Sequence, residues 1–185
     1  SYIQMQQADN RYTKKEILGL INSLKKTKAT SFDPKKLEKS FIENKSVKGK
    51  WNASGWCSNK SLLIIGQGPS LKNKKNISKI KNFILKTKCI VIGININNFI
   101  PQYLIDFYIS SNETRISVDH QKYNSLKKPI IIPATKLKKI KKDYKKVKIF
   151  DYGVTLKNNT FESFKNYSVS PHNLTFGYAI AVALS

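Results

Sequence analysis

The sequence predicts an α/β fold, a mostly parallel sheet with flanking helices preceded by a short helical segment, on three observations. The first is five short apolar runs: Leu62-Leu63-Ile64-Ile65, Cys89-Ile90-Val91-Ile92, Ile105-Asp106-Phe107-Tyr108-Ile109, Pro129-Ile130-Ile131-Ile132 and Val147-Lys148-Ile149-Phe150. Continuous apolar runs of this length suit strands covered on both faces, as in a parallel sheet. The second is helical spacing between the runs: Ile77, Ile80, Phe83 and Ile84 share one face, and a further helical pattern lies near Thr114–Tyr123. The third is the glycine pair that ends the first run, Gly66-Gln67-Gly68. Strands alternating with helices give a Rossmann-like parallel sheet with right-handed crossovers.

Residues 1–45 read as helical. Thr13-Lys14-Lys15-Glu16 matches a capping box, followed by Ile17, Leu20, Ile21 and Leu24 at helical spacing. A second helix is expected from Asp33-Pro34, an N-cap followed by proline at the first helical position, with Leu37, Phe41 and Ile42 on its apolar face. Two short helices bury little surface alone, so this segment reads as the tail of a preceding domain. Residues 46–60, with Gly49, Trp51, Gly55 and Trp56, read as a linker whose tryptophans dock on the next domain. Residues 61–185 form the Rossmann-like domain. The chain opens on Ser1 and stops inside the apolar helical pattern Tyr178–Ser185. Both ends therefore read as cut, and the domain as truncated at its C-terminus.

Composition bounds the partners. The chain carries 34 Lys plus Arg against 11 Asp plus Glu, a formal net charge of +23. Such a charge invites a polyanionic partner, nucleic acid or an acidic membrane surface. Yet only Arg11 and Arg115 are arginines, whereas specific phosphate or base recognition recruits the bidentate arginine fork. The joint excess of Lys, Asn and Ile reads as a bias spread over the whole surface, and a nucleic-acid partner is disfavoured. Two lysine-rich stretches, Lys72–Lys88 and Lys136–Lys148, read as solvated faces. Cys57 and Cys89, without a Cys/His cluster, form neither a disulfide framework nor a zinc site. That cysteine usage points to a reducing, cytoplasmic setting. No signal peptide or membrane-spanning run is visible.

The ligand-binding candidate is the turn Gly66, Gln67, Gly68, Pro69 and Ser70. Glycine there answers two needs: unusual backbone dihedrals at a sharp strand-to-helix turn, and a missing Cβ that lets backbone approach a ligand. The following helix is expected to aim free amides at the spot, as phosphate sites do. The alternative is a plain tight turn. The standard dinucleotide fingerprint is incomplete, because its third glycine is missing and Pro69 intervenes. Asn95 lies just past the second strand, and Ser110, Ser111 and Asn112 past the third, where ligands of open parallel sheets bind. Asn95 offers a donor and an acceptor for a base edge or ribose hydroxyl. Asn97 and Asn98 read as ordinary turn residues. Ser170-Pro171-His172-Asn173-Leu174-Thr175-Phe176-Gly177 opens the last helix, and Thr175 is a further ligand-binding candidate. The alternative there is a simple N-cap. His120 and His172 have no partner at a telling distance. Asp106, Glu113, Asp119 and Asp151 stand isolated, so no catalytic residue and no metal site is assigned.

The run Ile65–Leu71 followed by a strand ending in Asn95 resembles the bacterial sialyltransferases. It is equally similar to the hydroxymethylpterin diphosphokinase-like and flagellin-modifying glycosyltransferase families. The sialyltransferase resemblance implies that Gly66, Gly68, Pro69, Ser70 and Asn95 hold a nucleotide, with a cytidine-monophosphate sugar as candidate ligand. It sets a helix-start motif near Thr175 and Gly177. A longer resemblance runs through Tyr2-Ile3, Arg11-Tyr12-Thr13, Ser31-Phe32-Asp33, Gly49-Lys50-Trp51, Ile105-Asp106, Asp151-Tyr152-Gly153 and Tyr178–Ala183. These segments look like a C-terminal module fused behind an aldolase of the hydroxymethylglutaryl-CoA-lyase-like, or 4-hydroxy-2-oxovalerate aldolase, type found in surface-polysaccharide gene clusters. The resemblances imply a nucleotide- or nucleotide-sugar-binding transferase-type domain, with a non-catalytic accessory module of an aldolase-like enzyme as the alternative. They imply a phosphorylated small molecule and a preceding aldolase-like domain as partners.

Overall fold

The computed structural model describes residues 48–96, 99–135, 147–172 and 174–185, without the side chains of residues 113, 114, 117, 118 and 120. The helices expected within residues 1–45, the turn residues Asn97 and Asn98, residues 136–146 of the second lysine stretch and Asn173 lie outside that set.

All five apolar runs become strands. β1 (Leu62–Ile65), β2 (Ile90–Ile94), β3 (Phe107–Ile109), β4 (Ile130–Ile132) and β5 (Ile149–Asp151) form one sheet in the order β1-β2-β3-β4-β5. Every pairing in it is parallel. Two helices alternate with these strands: α1 (Lys74–Thr87) after β1 and α2 (Glu113–Leu126) after β3. The fold is α/β and Rossmann-like. Beyond β5 a smaller three-stranded sheet, ordered β6-β8-β7, is made of β6 (Gly153–Leu156), β7 (Glu162–Phe164) and β8 (Tyr167–Ser170). Helix α3 (Thr175–Leu184) ends the chain.

The strand order is sequential, with no reversal among the five strands. Right-handed crossovers that always step the same way deposit their helices on one face. The packing agrees: Val91, Tyr108, Ile130 and Ile132 share one core cluster with Ile77, Ile80 and Ile84 of α1 and Ile116 and Tyr123 of α2. Phe83, expected on that apolar face, is 49% exposed. At 100° per residue it falls on the shoulder of the stripe that Ile77, Ile80 and Ile84 define.

The opposite face is covered differently. Ile92, Ile109 and Ile131 point away from that cluster and are also fully buried. A chain of edge-to-face rings runs along this face: Trp56 with Phe107, Phe107 with Phe150, Phe150 with Trp51, and Trp51 with Tyr152. Tyr152 then meets Tyr178 of α3. Residues 48–60, expected to be a linker, are part of this layer. The Trp56 indole donates to the Val182 carbonyl at 2.9 Å, and the Trp51 amide to the Asp151 carbonyl at 2.9 Å. Gly49 sits so close to β5 and β6 that a Cβ there would lie 2.0 Å from the Asp151 carbonyl oxygen. The tryptophans dock as expected, and backbone bonds and close approach hold the segment against the sheet.

Candidate functional site

The parallel register decides which residues meet. Ile65 is level with Gly93, and Gly93 with Tyr108. Two residues further along, Gln67, Asn95 and Ser110 stand in one row past the carboxyl ends of β1, β2 and β3.

Gly66, Gly68, Pro69 and Ser70 are exposed and Gln67 is half-buried. The turn is gentler than expected. Gly68 has φ −62° and ψ 152°, and the only glycine with positive φ among the described residues is Gly55. Backbone strain therefore does not explain glycine at 66 and 68. Packing does not explain it either: a Cβ on Gly66 would meet no atom within 4 Å, and one on Gly68 only the Ser70 hydroxyl at 3.6 Å. The main chain at both positions lies open.

The segment after the turn also departs from expectation. A 3₁₀ turn, Pro69–Lys72, intervenes before α1, with proline at its first position. Helix α1 then caps itself. Asn73 Oδ1 accepts the Lys75 amide at 2.9 Å, while the Asn73 carbonyl accepts the Asn76 and Ile77 amides. The amides of Lys75, Asn76 and Ile77 are thus taken up by Asn73. In the turn itself, the amides of Gly68 and Ser70 have no acceptor among the described residues.

Gln67 links the loops after β1 and β2 with the first turn of α2. Its side-chain amide nitrogen donates to the Ile96 carbonyl, and its Oε1 accepts from Arg115 Nη1 at 3.4 Å. Asn95 is 7% exposed and sits in the left-handed region at φ 53°, which asparagine tolerates better than most residues. Its amide donates to the Ile109 carbonyl at 2.9 Å, and its Oδ1 accepts the Ser110 hydroxyl at 2.8 Å. The first bond, from the backbone N–H, fixes the main chain, and the second holds the Asn95 side chain against the end of β3.

Two other candidates serve the frame. Asn112 caps α2: its Oδ1 accepts the Arg115 amide at 3.0 Å. Thr175 is buried, and its hydroxyl lies 3.2 Å from Ser111 Oγ, tying the start of α3 to the end of β3. That start is not side-chain capped, since Leu174 occupies the N-cap position. His172 is exposed. Asp106 accepts the Val91 amide at 2.8 Å, and Asp151 accepts the Lys50 and Thr135 amides at 3.2 and 2.9 Å. Both carboxylates brace backbone. Among the described residues no group of three His, Cys, Asp or Glu could hold a metal. The residue that sequence reasoning missed is Arg115. Its rarity as an arginine was visible; its nearness to Gln67 was not, because the two are 48 positions apart.

No protein-family model, curated protein or solved structure matches this chain. Among the described residues, no helix is long and apolar enough to cross a membrane.

Proposed function

We propose that this domain binds a nucleotide or nucleotide-sugar as the donor-binding part of a transferase, with phosphate over the turn Gly66–Ser70 and base or ribose against Asn95. The observation that carries the reading is the pair of glycines without internal cause. Neither strain nor packing asks for glycine at 66 or 68, and the space above both is open. The amides of Gly68 and Ser70 suit anionic oxygens. Two unpaired thiols, Cys57 and Cys89, support a reducing cytoplasmic setting.

Calorimetric titration with CMP, UDP and ADP tests the reading. The intact protein should bind at least one of them, and Gly68→Asp should abolish that binding. At φ −62° the new side chain is accommodated, so the variant keeps its fold while its carboxylate repels phosphate. Intact protein that binds none of the three nucleotides would overturn the proposal. The accessory-module reading has one observation in its favour: Asp106 and Asp151 are occupied with backbone amides. It predicts an empty pocket that takes up none of the nucleotides, whereas the transferase reading predicts binding, with hydrolysis or transfer of a bound nucleotide-sugar.

A further inference from the structure

We propose that Arg115 is the cation that meets the ligand's phosphate, and that Gln67 is the residue that positions it. The inference rests on the nucleotide reading and deepens it.

Three observations converge. The first is placement. Gln67 lies between the two open glycines, yet its side chain is committed to the protein: it donates to Ile96 beyond β2 and accepts from Arg115 on the first turn of α2. One side chain thus connects the loops after β1 and β2 with the helix after β3. The second is chemistry. Gln67 holds Arg115 through a neutral amide oxygen, which orients the guanidinium without itself cancelling the charge. A guanidinium carries five N–H donors, so the bond to Gln67 is compatible with a bidentate grip on phosphate. The third is composition. This chain supplies positive charge almost wholly as lysine, and its other arginine, Arg11, lies outside the described residues. A general lysine bias accounts for lysines anywhere on the surface. It does not account for an arginine beside the glycine turn, where the planar fork differs in function from a lysine ammonium. The main chain of Arg115 is fixed as well, because its amide is capped by Asn112 at 3.0 Å.

The test pairs each nucleotide with its bare nucleoside: CMP with cytidine, UDP with uridine, ADP with adenosine. Calorimetry reads both affinities for wild type, Arg115→Gln, Arg115→Lys, Gln67→Ala and Gln67→Glu, with circular dichroism and thermal melts confirming the fold. Arg115→Gln should weaken nucleotide binding about 10- to 100-fold and leave nucleoside binding unchanged. Arg115→Lys should recover part of the loss. Gln67→Glu sets a carboxylate against the guanidinium and should weaken nucleotide binding at neutral pH. That defect relative to wild type should shrink as pH falls toward the carboxylate range near about 4.3. Gln67→Ala should fall between wild type and Arg115→Gln.

The failures separate. If Gly68→Asp abolishes binding while Arg115→Gln binds like wild type, the role of Arg115 is overturned and the nucleotide reading stands. Equal losses for nucleotide and nucleoside in Arg115→Gln would make the residue structural and also overturn the inference. If wild type binds no probe, both ideas fall together.

Discussion

At the scale of single residues, the site and the frame ask opposite things of their side chains. Gly66 has open space where a Cβ would stand and does not have a positive φ. Gly66→Ala should therefore raise stability by about 0.4–1 kcal/mol through the unfolded chain, while nucleotide affinity falls. Urea unfolding and calorimetry on one preparation check both signs; a loss of stability would show that the turn needs glycine for its own sake. Tyr178 illustrates the frame. Burial first, then Asp151 and Tyr152, hold its hydroxyl well above the ordinary value of 10.0. The folded state keeps the proton longer than the unfolded chain, so this contribution is intact below about pH 10 and declines as pH rises toward the folded value. Tyr178→Phe should cost about 1 kcal/mol at neutral pH, for the lost bond to the Tyr152 carbonyl. It should also flatten the fall of stability at alkaline pH. Unfolding curves at neutral and alkaline pH compare the two proteins.

At the scale of elements, the helices close themselves. Because Asn73 caps α1, Asn73→Ala should cost about 1 kcal/mol of stability and leave nucleotide affinity unaltered. A drop in affinity would mean that the helix end is part of the site. Both α1 and α2 stop at a lysine in the left-handed region, Lys88 at φ 50° and Lys127 at φ 54°. Glycine is at ease there, and Lys88→Gly should stabilise by up to about 1 kcal/mol, read from the shift of the urea midpoint. These stops carry no sequence signal, since lysine marks no turn. Starts are more legible: Asn73 and Asn112 are cap-forming residues, although the place of Asn112 after the third strand suggests a ligand contact rather than a cap. Local sequence cannot separate those roles, because one amide group serves both.

At the scale of the whole molecule, the sheet depends on two unlike covers. The helix side is legible from the spacing of Ile77, Ile80 and Ile84. The other side is assembled from residues 48–60, the ring cluster and α3. Gly49 is its tightest point, and Gly49→Ala should destabilise by about 3 kcal/mol or more, because the added carbon meets the Asp151 carbonyl rather than a movable side chain. Denaturant unfolding of that variant reads the cost; a wild-type midpoint would show that the segment is not clamped. The sequential strand order removes the reversal point at which ligands of doubly wound sheets settle.

The sequence by itself determined the strands, the helices between them and the exposed glycine turn. Apolar period and run length act within a few residues, and a helix or strand reports its neighbours directly. Only the tertiary structure decided the sequential strand order, the binding of residues 48–60 to the sheet, the ordinary dihedrals of the glycines and the meeting of Gln67 with Arg115. Those outcomes depend on register and on packing between segments far apart in the chain, and no local pattern encodes which distant partner a side chain will reach.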